Sequence, residues 1–346
     1  MKKTNKRRKP LLLKHLEIGI ILCSFIMITS CSSDDDEDDK LGNWVNRSVF
    51  DGTPRSSAVS FTIDNLGYMG TGFDGDDYLS DFWVYDIEGN FWRQLADFAS
   101  ISVDQTQSPR SSAVAFTIAN EGYIGLGFDG DNELGDFYKY DPALNEWAPI
   151  TSFEGTARRG AVAFSSDTSG YVGTGFDGDN DKKDFWKYDP IADDWIELVG
   201  FGGSKRRDAT SFTIEDKVYM GTGVSNGINQ DDFWVFDINT EVWSPLTDLD
   251  TDDYDVRRSN ATGFSIGNRG YIACGDTGVG IANSVWEYNP DTDFWEEKTS
   301  FEGFTRRDAI SFYNDSRAFV ALGRSGTLYL DDNWEFFPFE IENEDD

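Results

Sequence analysis

Histidine is nearly missing: the 346-residue chain has one, His15. Basic charge is scarce as well, with 30 Lys and Arg against 63 Asp and Glu. Residues 1–30 hold seven of those basic groups and that histidine, so a chain starting after them has 62 acidic, 23 basic and no histidine residues. Such a chain has no imidazole for a Ser-His-Asp or Cys-His nucleophile. It has none for a zinc protease or deaminase site either. Its acidity makes it a poor partner for phosphate backbones, so no nucleic-acid partner is expected. Cysteine is limited to Cys23, Cys31 and Cys274, and no intrachain disulfide is expected.

What is present begins with an address. Residues 1–10 are rich in Lys and Arg, and a broken apolar stretch follows to Ile28. That is the layout of a secretion signal, too short for a confident membrane span. It ends Ile28-Thr29-Ser30-Cys31, which resembles the bacterial lipobox. By that resemblance residues 1–30 are a lipoprotein signal peptide and Cys31 is lipidated, anchoring the chain to a membrane. Ser32-Ser33 and the acidic run 34–39 follow, so 31–41 reads as a solvated tether. Acidic runs after a lipidated cysteine resemble the surface-export signal of Bacteroidetes lipoproteins. The resemblance implies the bacterial cell envelope, at the outer membrane and exposed on the surface.

Repeats fill the rest. Six alanines align: Ala58, Ala113, Ala161, Ala209, Ala261 and Ala309. Three residues before them stand Arg55, Arg110, Arg158, Arg206, Arg258 and Arg306, and three after them Phe61, Phe116, Phe164, Phe212, Phe264 and Phe312. Ten after comes Tyr68, Tyr123, Tyr171, Tyr219, Tyr271 or Phe319, and fifteen later Trp83, Tyr138, Trp186, Trp234, Trp286 or Trp334. In five copies another Trp follows nine residues on. Each unit holds four short apolar runs split by turn compositions, the pattern of a four-stranded sheet. Four strands repeated radially predict a propeller blade.

The sixth copy lacks the last Trp, and Asn43-Trp44-Val45-Asn46 supplies it. Trp44 precedes Ala58 by 14 residues, the separation of Trp195 from Ala209. The expectation is therefore an all-β, six-bladed propeller over 42–337, its last blade closed by the N-terminal strand, with an acidic tail at 338–346. Motifs such as Trp186-x-Tyr188-Asp189-Pro190-x5-Trp195 resemble the kelch repeat. The usual adjacent glycines are replaced by Gly-x-Gly, as in Gly70-Thr71-Gly72, which suggests a bacterial branch.

Loops from fourth to first strands and from second to third strands share one face. Length varies only in the former, with inserts around 100–109 and 250–256. The six arginines stand on this face, with second ones at Arg159, Arg207, Arg257 and Arg307. So do three Gly-Phe-Asp-Gly-Asp turns carrying Asp74, Asp129 and Asp177. These arginines and aspartates are the candidate ligand-binding set, either as a structural Arg–Asp lattice or as a mouth for an anionic or hydroxyl-rich ligand. Asp177, Asp179 and Asp181 are a weak calcium candidate. No catalytic residue is assigned, and Cys274 is expected to be a buried small side chain.

The function expected is a non-enzymatic binding or scaffold module for a glycan or protein. The alternative rests on a resemblance in blade count to bacterial sialic acid mutarotases. It implies a sugar-acid isomerase working with carboxylates and arginine, which needs no histidine. Galactose-oxidase-like chemistry is set aside because it requires histidines at copper.

Overall fold

A computed structural model describes residues 40–99 and 108–343. The signal peptide, Cys31, most of the tether and most of the insert at 100–109 lie outside the described residues. Six antiparallel four-stranded sheets form the blades. Blade one contains Val59–Ile63, Leu66–Gly70, Phe82–Asp86 and Phe91–Gln94. Blade two contains Val114–Ile118, Glu121–Gly125, Phe137–Asp141 and Glu146–Ile150, and blade three Val162–Ser165, Gly170–Gly173, Phe185–Asp189 and Asp194–Glu197. Blade four contains Thr210–Ile214, Lys217–Gly221, Trp234–Asp237 and Val242–Pro245, and blade five Thr262–Ile266, Arg269–Ala273, Val285–Asn289 and Phe294–Lys298. Blade six contains Ile310–Tyr313, Ala318–Ala321 and Asn333–Ile341, and its outer strand is Leu41–Asn46.

That outer strand confirms the closure expected from Trp44. It runs antiparallel to Asn333–Ile341, with Trp44 opposite Phe336 and Asn46 opposite Trp334. Leu41 belongs to this outer strand, and Lys40 pairs with Glu297 at 2.5 Å. The last strand reaches Ile341 because Phe337 pairs with Asn43 and, past a shift in register, Ile341 pairs with Leu41.

The period-2 alternation of the first strands sets the layers. In Val59–Ile63, Val59, Phe61 and Ile63 are buried in the blade while Ser60 and Thr62 face the axis. Six apolar clusters result, each shared by two neighbouring blades. Phe61, Tyr68 and Phe82 of blade one meet Tyr140 and Trp147 of blade two, and Phe50 and Tyr85 meet Phe312 and Phe319 of blade six. The ring of clusters thus closes on itself. The fit is tight where the second strand carries glycine: a Cβ on Gly122 would lie 2.1 Å from the Phe61 ring.

The axial channel is lined by small and hydroxylated residues. Ser311 Oγ donates to Gly263 O at 2.7 Å and Ser265 Oγ to Thr213 O at 2.7 Å, clipping adjacent first strands together. Toward the arginine face the channel is narrowed by a backbone circuit. The amide of Ser112 donates to Ser57 O, Gly160 to Ser112 O, Asp208 to Gly160 O, Asn260 to Asp208 O, Asp308 to Asn260 O, and Ser57 back to Asp308 O, at 2.8–3.1 Å. All six residues have positive φ, between 50° and 59°. Ser, Gly, Asp and Asn are suited to that conformation.

Candidate functional site

The six arginines are at most 1% exposed. Each points into its own blade. Arg110 donates from Nε to Ser108 O, from Nη1 to Leu126 O at 2.9 Å, and through a two-pronged grip to Asp136 at 2.7 and 2.8 Å. Arg158 holds Asp184 and Arg306 holds Asp332 in the same way. Arg55 pairs with Asp81, and Arg206 with Asp232. The carbonyls they reach belong to the middle residues of Gly-x-Gly, or Ala-x-Gly in the last two blades: Thr71, Leu126, Thr174, Thr222, Cys274 and Leu322, all near φ 60°. Left-handed backbone at a non-glycine costs roughly 1–2 kcal/mol, and the charge-assisted bonds to those carbonyls offset it.

Of the two alternatives, the structural lattice describes these groups, although the aspartates they hold lie in the same blade and are not those of the Asp-Gly-Asp turns. In five of the six, a carboxylate twenty-six residues ahead and the i−2 carbonyl consume guanidinium donors inside the blade; Arg258 reaches carbonyls only. Phe50, Phe98, Phe153, Phe201 and Phe301 stack on five of them, with 4.5–5.1 Å from guanidinium carbon to ring centroid. The arginines hold the loops of the variable face from beneath. Cys274 is fully buried just past its second strand, and burial raises its thiol pKa to about 12.

The Asp-Gly-Asp turns are self-contained. Asp74, Asp129 and Asp177 each accept two backbone amides, from residues two and three ahead, at 2.7–3.1 Å. Burial works against ionisation of Asp177, but Lys182 and those amides outweigh it and bring the pKa down to about 2. The calcium candidate fails on geometry. Asp181 turns away to Arg207, 2.6 Å off, and to the amide of Asn226, while Asp177 engages Lys182. Among the described residues no three acidic, His or Cys groups converge as metal ligands.

The partly exposed chemistry lies at the mouth of the axis. Arg207 and Arg307 follow the buried arginines, with 31% and 29% of their side chains exposed, and bridge to the second-to-third loops at Val224 and Arg324. Arg257 differs: it precedes its buried neighbour and pairs with Asp250 and Asp255 of the insert, so it does not extend this group. Asp308 accepts Asn260 Nδ2 at 2.7 Å and Arg324 Nε at 2.9 Å. Asp208 Oδ2 lies 3.6 Å from Arg207 Nε. Asp208 keeps 22% of its side-chain surface open but sits deep in the narrow mouth. Burial first and Asp308 second raise its pKa to about 7, against the pull of Arg207 and Arg159.

The second-to-third loops of blades one to three carry aromatic rings on the same face. Phe73 lies 4.9 Å from Tyr78, and Tyr78 lies 5.8 Å from Phe128. Arg159 stacks 4.3 Å over Phe128, and Arg207 4.8 Å over Phe176. The mouth itself has Ser57, Ser112 and Gly160 on one side and Asp208, Asn260 and Asp308 on the other. The sequence reading missed Asp208 and Asp308. The residue before each aligned alanine, which reads Ser, Ser, Gly, Asp, Asn, Asp around the ring, was the available signal.

No family model and no curated protein matches the chain. Among solved structures, one titled "Structure of YjhT" matches with a TM-score of 0.69 at 15% identity, covering 83% of this chain and 96% of that one. The likeness shows a distantly related six-bladed β-propeller fold.

Proposed function

We propose that the axial mouth binds a carboxylated sugar and catalyses its anomeric interconversion. The observation that carries this is the Asp208 carboxyl, poised near pH 7 beside Asp308 and partly exposed guanidinium groups. Opening a cyclic hemiacetal requires one proton to leave the anomeric hydroxyl and one to reach the ring oxygen. A carboxyl with a pKa near neutrality populates both states it needs to relay them. Arg324 and Arg207 suit a sugar carboxylate. The shared fold is compatible with the mutarotase-like reading but does not carry it.

The test is exchange spectroscopy by NMR on the two anomers of a sialic acid. The wild type should raise the interconversion rate above the spontaneous one. Asp208→Asn should abolish the increase while leaving binding within about threefold. A wild type that binds without accelerating exchange refutes catalysis and leaves the binding-module reading. That second reading draws on a groove of about 1080 Å³ between blades three and four on the same face, lined by Lys182, Lys205, Trp186 and Trp234.

The same proposal places the propeller at the bacterial envelope as a kelch-like lipoprotein, through Cys31. Labelling cells with an alkyne fatty acid should tag the wild type and leave Cys31→Ala untagged.

A further inference from the structure

Blade five breaks the pattern that the other five keep. Where they carry Asp81, Asp136, Asp184, Asp232 and Asp332, blade five has Ser284. Arg258 is 1% exposed and has no carboxylate partner among the described residues; Nε reaches Val256 O, and Nη1 reaches the carbonyls of Cys274 and Ser284 at 2.8 and 3.3 Å. The stacking ring is gone too, since Leu249 makes the backbone contact that Phe201 and Phe301 make elsewhere. Burial lowers the pKa of Arg258 to about 10, the consequence of a cation left without its anion.

A second, independent group has lost the same partner. Trp83, Trp186, Trp234 and Trp334 each donate from Nε1 to their blade's aspartate at 2.7–2.9 Å. The equivalent Trp286 Nε1 is buried and has no partner. Two donors that share one carboxylate in four other blades are thus left, in blade five, at a place where the chain supplies none. An uncompensated buried cation and an unpaired buried N–H each carry a substantial desolvation penalty.

We propose that blade five binds a small monovalent anion, a halide or a formate-sized carboxylate, at the position the aspartate fills in the other blades. The anion bridges the guanidinium of Arg258 and Nε1 of Trp286, completing the loop anchor with a ligand in place of a side chain. This site is separate from the axial mouth and does not depend on that reading.

The test compares the wild type with Ser284→Asp, which returns the carboxylate to the chain. Crystals of the wild type soaked in bromide should show an anomalous peak within about 3.5 Å of both donors, and those of Ser284→Asp should show none. In solution, replacing gluconate by chloride at constant ionic strength should raise the wild-type melting temperature by about 3–5 °C, as expected for a ligand of the native state alone. Ser284→Asp should be unresponsive. If that variant does not fold, Trp286→Phe serves instead and should weaken the chloride response severalfold. The proposal is overturned if the bromide-soaked wild type shows no anomalous peak between Arg258 and Trp286. It is equally overturned if the peak persists unchanged in the variant.

Discussion

Arg47, just past the N-terminal strand, and Arg317, from blade six, grip the same carboxylate, that of Glu335. Glu335 is 1% exposed; Arg47 Nε reaches it at 2.7 Å and Arg317 Nη2 at 2.8 Å. The closure of the ring thus depends on a buried carboxylate held by two partly exposed guanidinium groups as well as on strand pairing. Glu335→Ala removes the partner that two solvent-accessible cations share. It should cost about 1–3 kcal/mol of stability, read from the urea midpoint, and amide exchange should rise first in residues 41–46.

Asp184→Asn tests the loop anchors. It keeps the shape and removes the charge that Arg158 and Trp186 share. A loss of about 3 kcal/mol is expected, together with faster proteolysis of the connection at 151–158. A loss below 0.5 kcal/mol would show that the guanidinium is satisfied by carbonyls alone.

Asp208 makes stability fall with rising pH. A carboxyl whose pKa is raised on folding binds its proton more tightly in the folded state, so the fold weakens between the unfolded value of 3.8 and about 7. Asp208→Asn should remove that slope and stabilise the protein by about 1–2 kcal/mol at pH 8, with little change at pH 4. Thermal melts of both proteins across pH 4–8 measure it.

Gly122→Ala should disturb the seam between blades one and two, because the added methyl meets the Phe61 ring. The expected loss is about 1–3 kcal/mol. Phe61→Leu in the same background should recover part of it, a coupling that a double-mutant cycle reads directly.

Much of the fold was legible because its signals are local and repeated six times. Fixed spacing from Arg158 to Trp186 to Trp195 marks three strands of one blade, and Trp44 betrayed the closure by standing at the same distance from Ala58. The roles of the arginines were less legible. Sequence spacing places Arg158 and Asp184 on one face but does not say that the guanidinium turns inward, which depends on the carbonyl that Thr174 presents through its left-handed backbone. The mouth residues escaped because Asp208 and Asp308 occupy a position whose other occupants are Ser, Gly and Asn, so no repeat motif flagged it. Their proximity arises only when blades four and six curl toward a common axis.

The hydrogen-bonded circuit from Ser57 to Asp308 separates two duties that most binding sites mix. Main-chain atoms link all six blades there whatever side chains stand at those positions, and the Asn260–Asp308 side-chain bond only adds to the circuit. Half of those side chains have become acid or amide while the others stayed small. A symmetric assembly can in this way acquire a one-sided chemistry, one residue at a time, without first having to loosen its own axle.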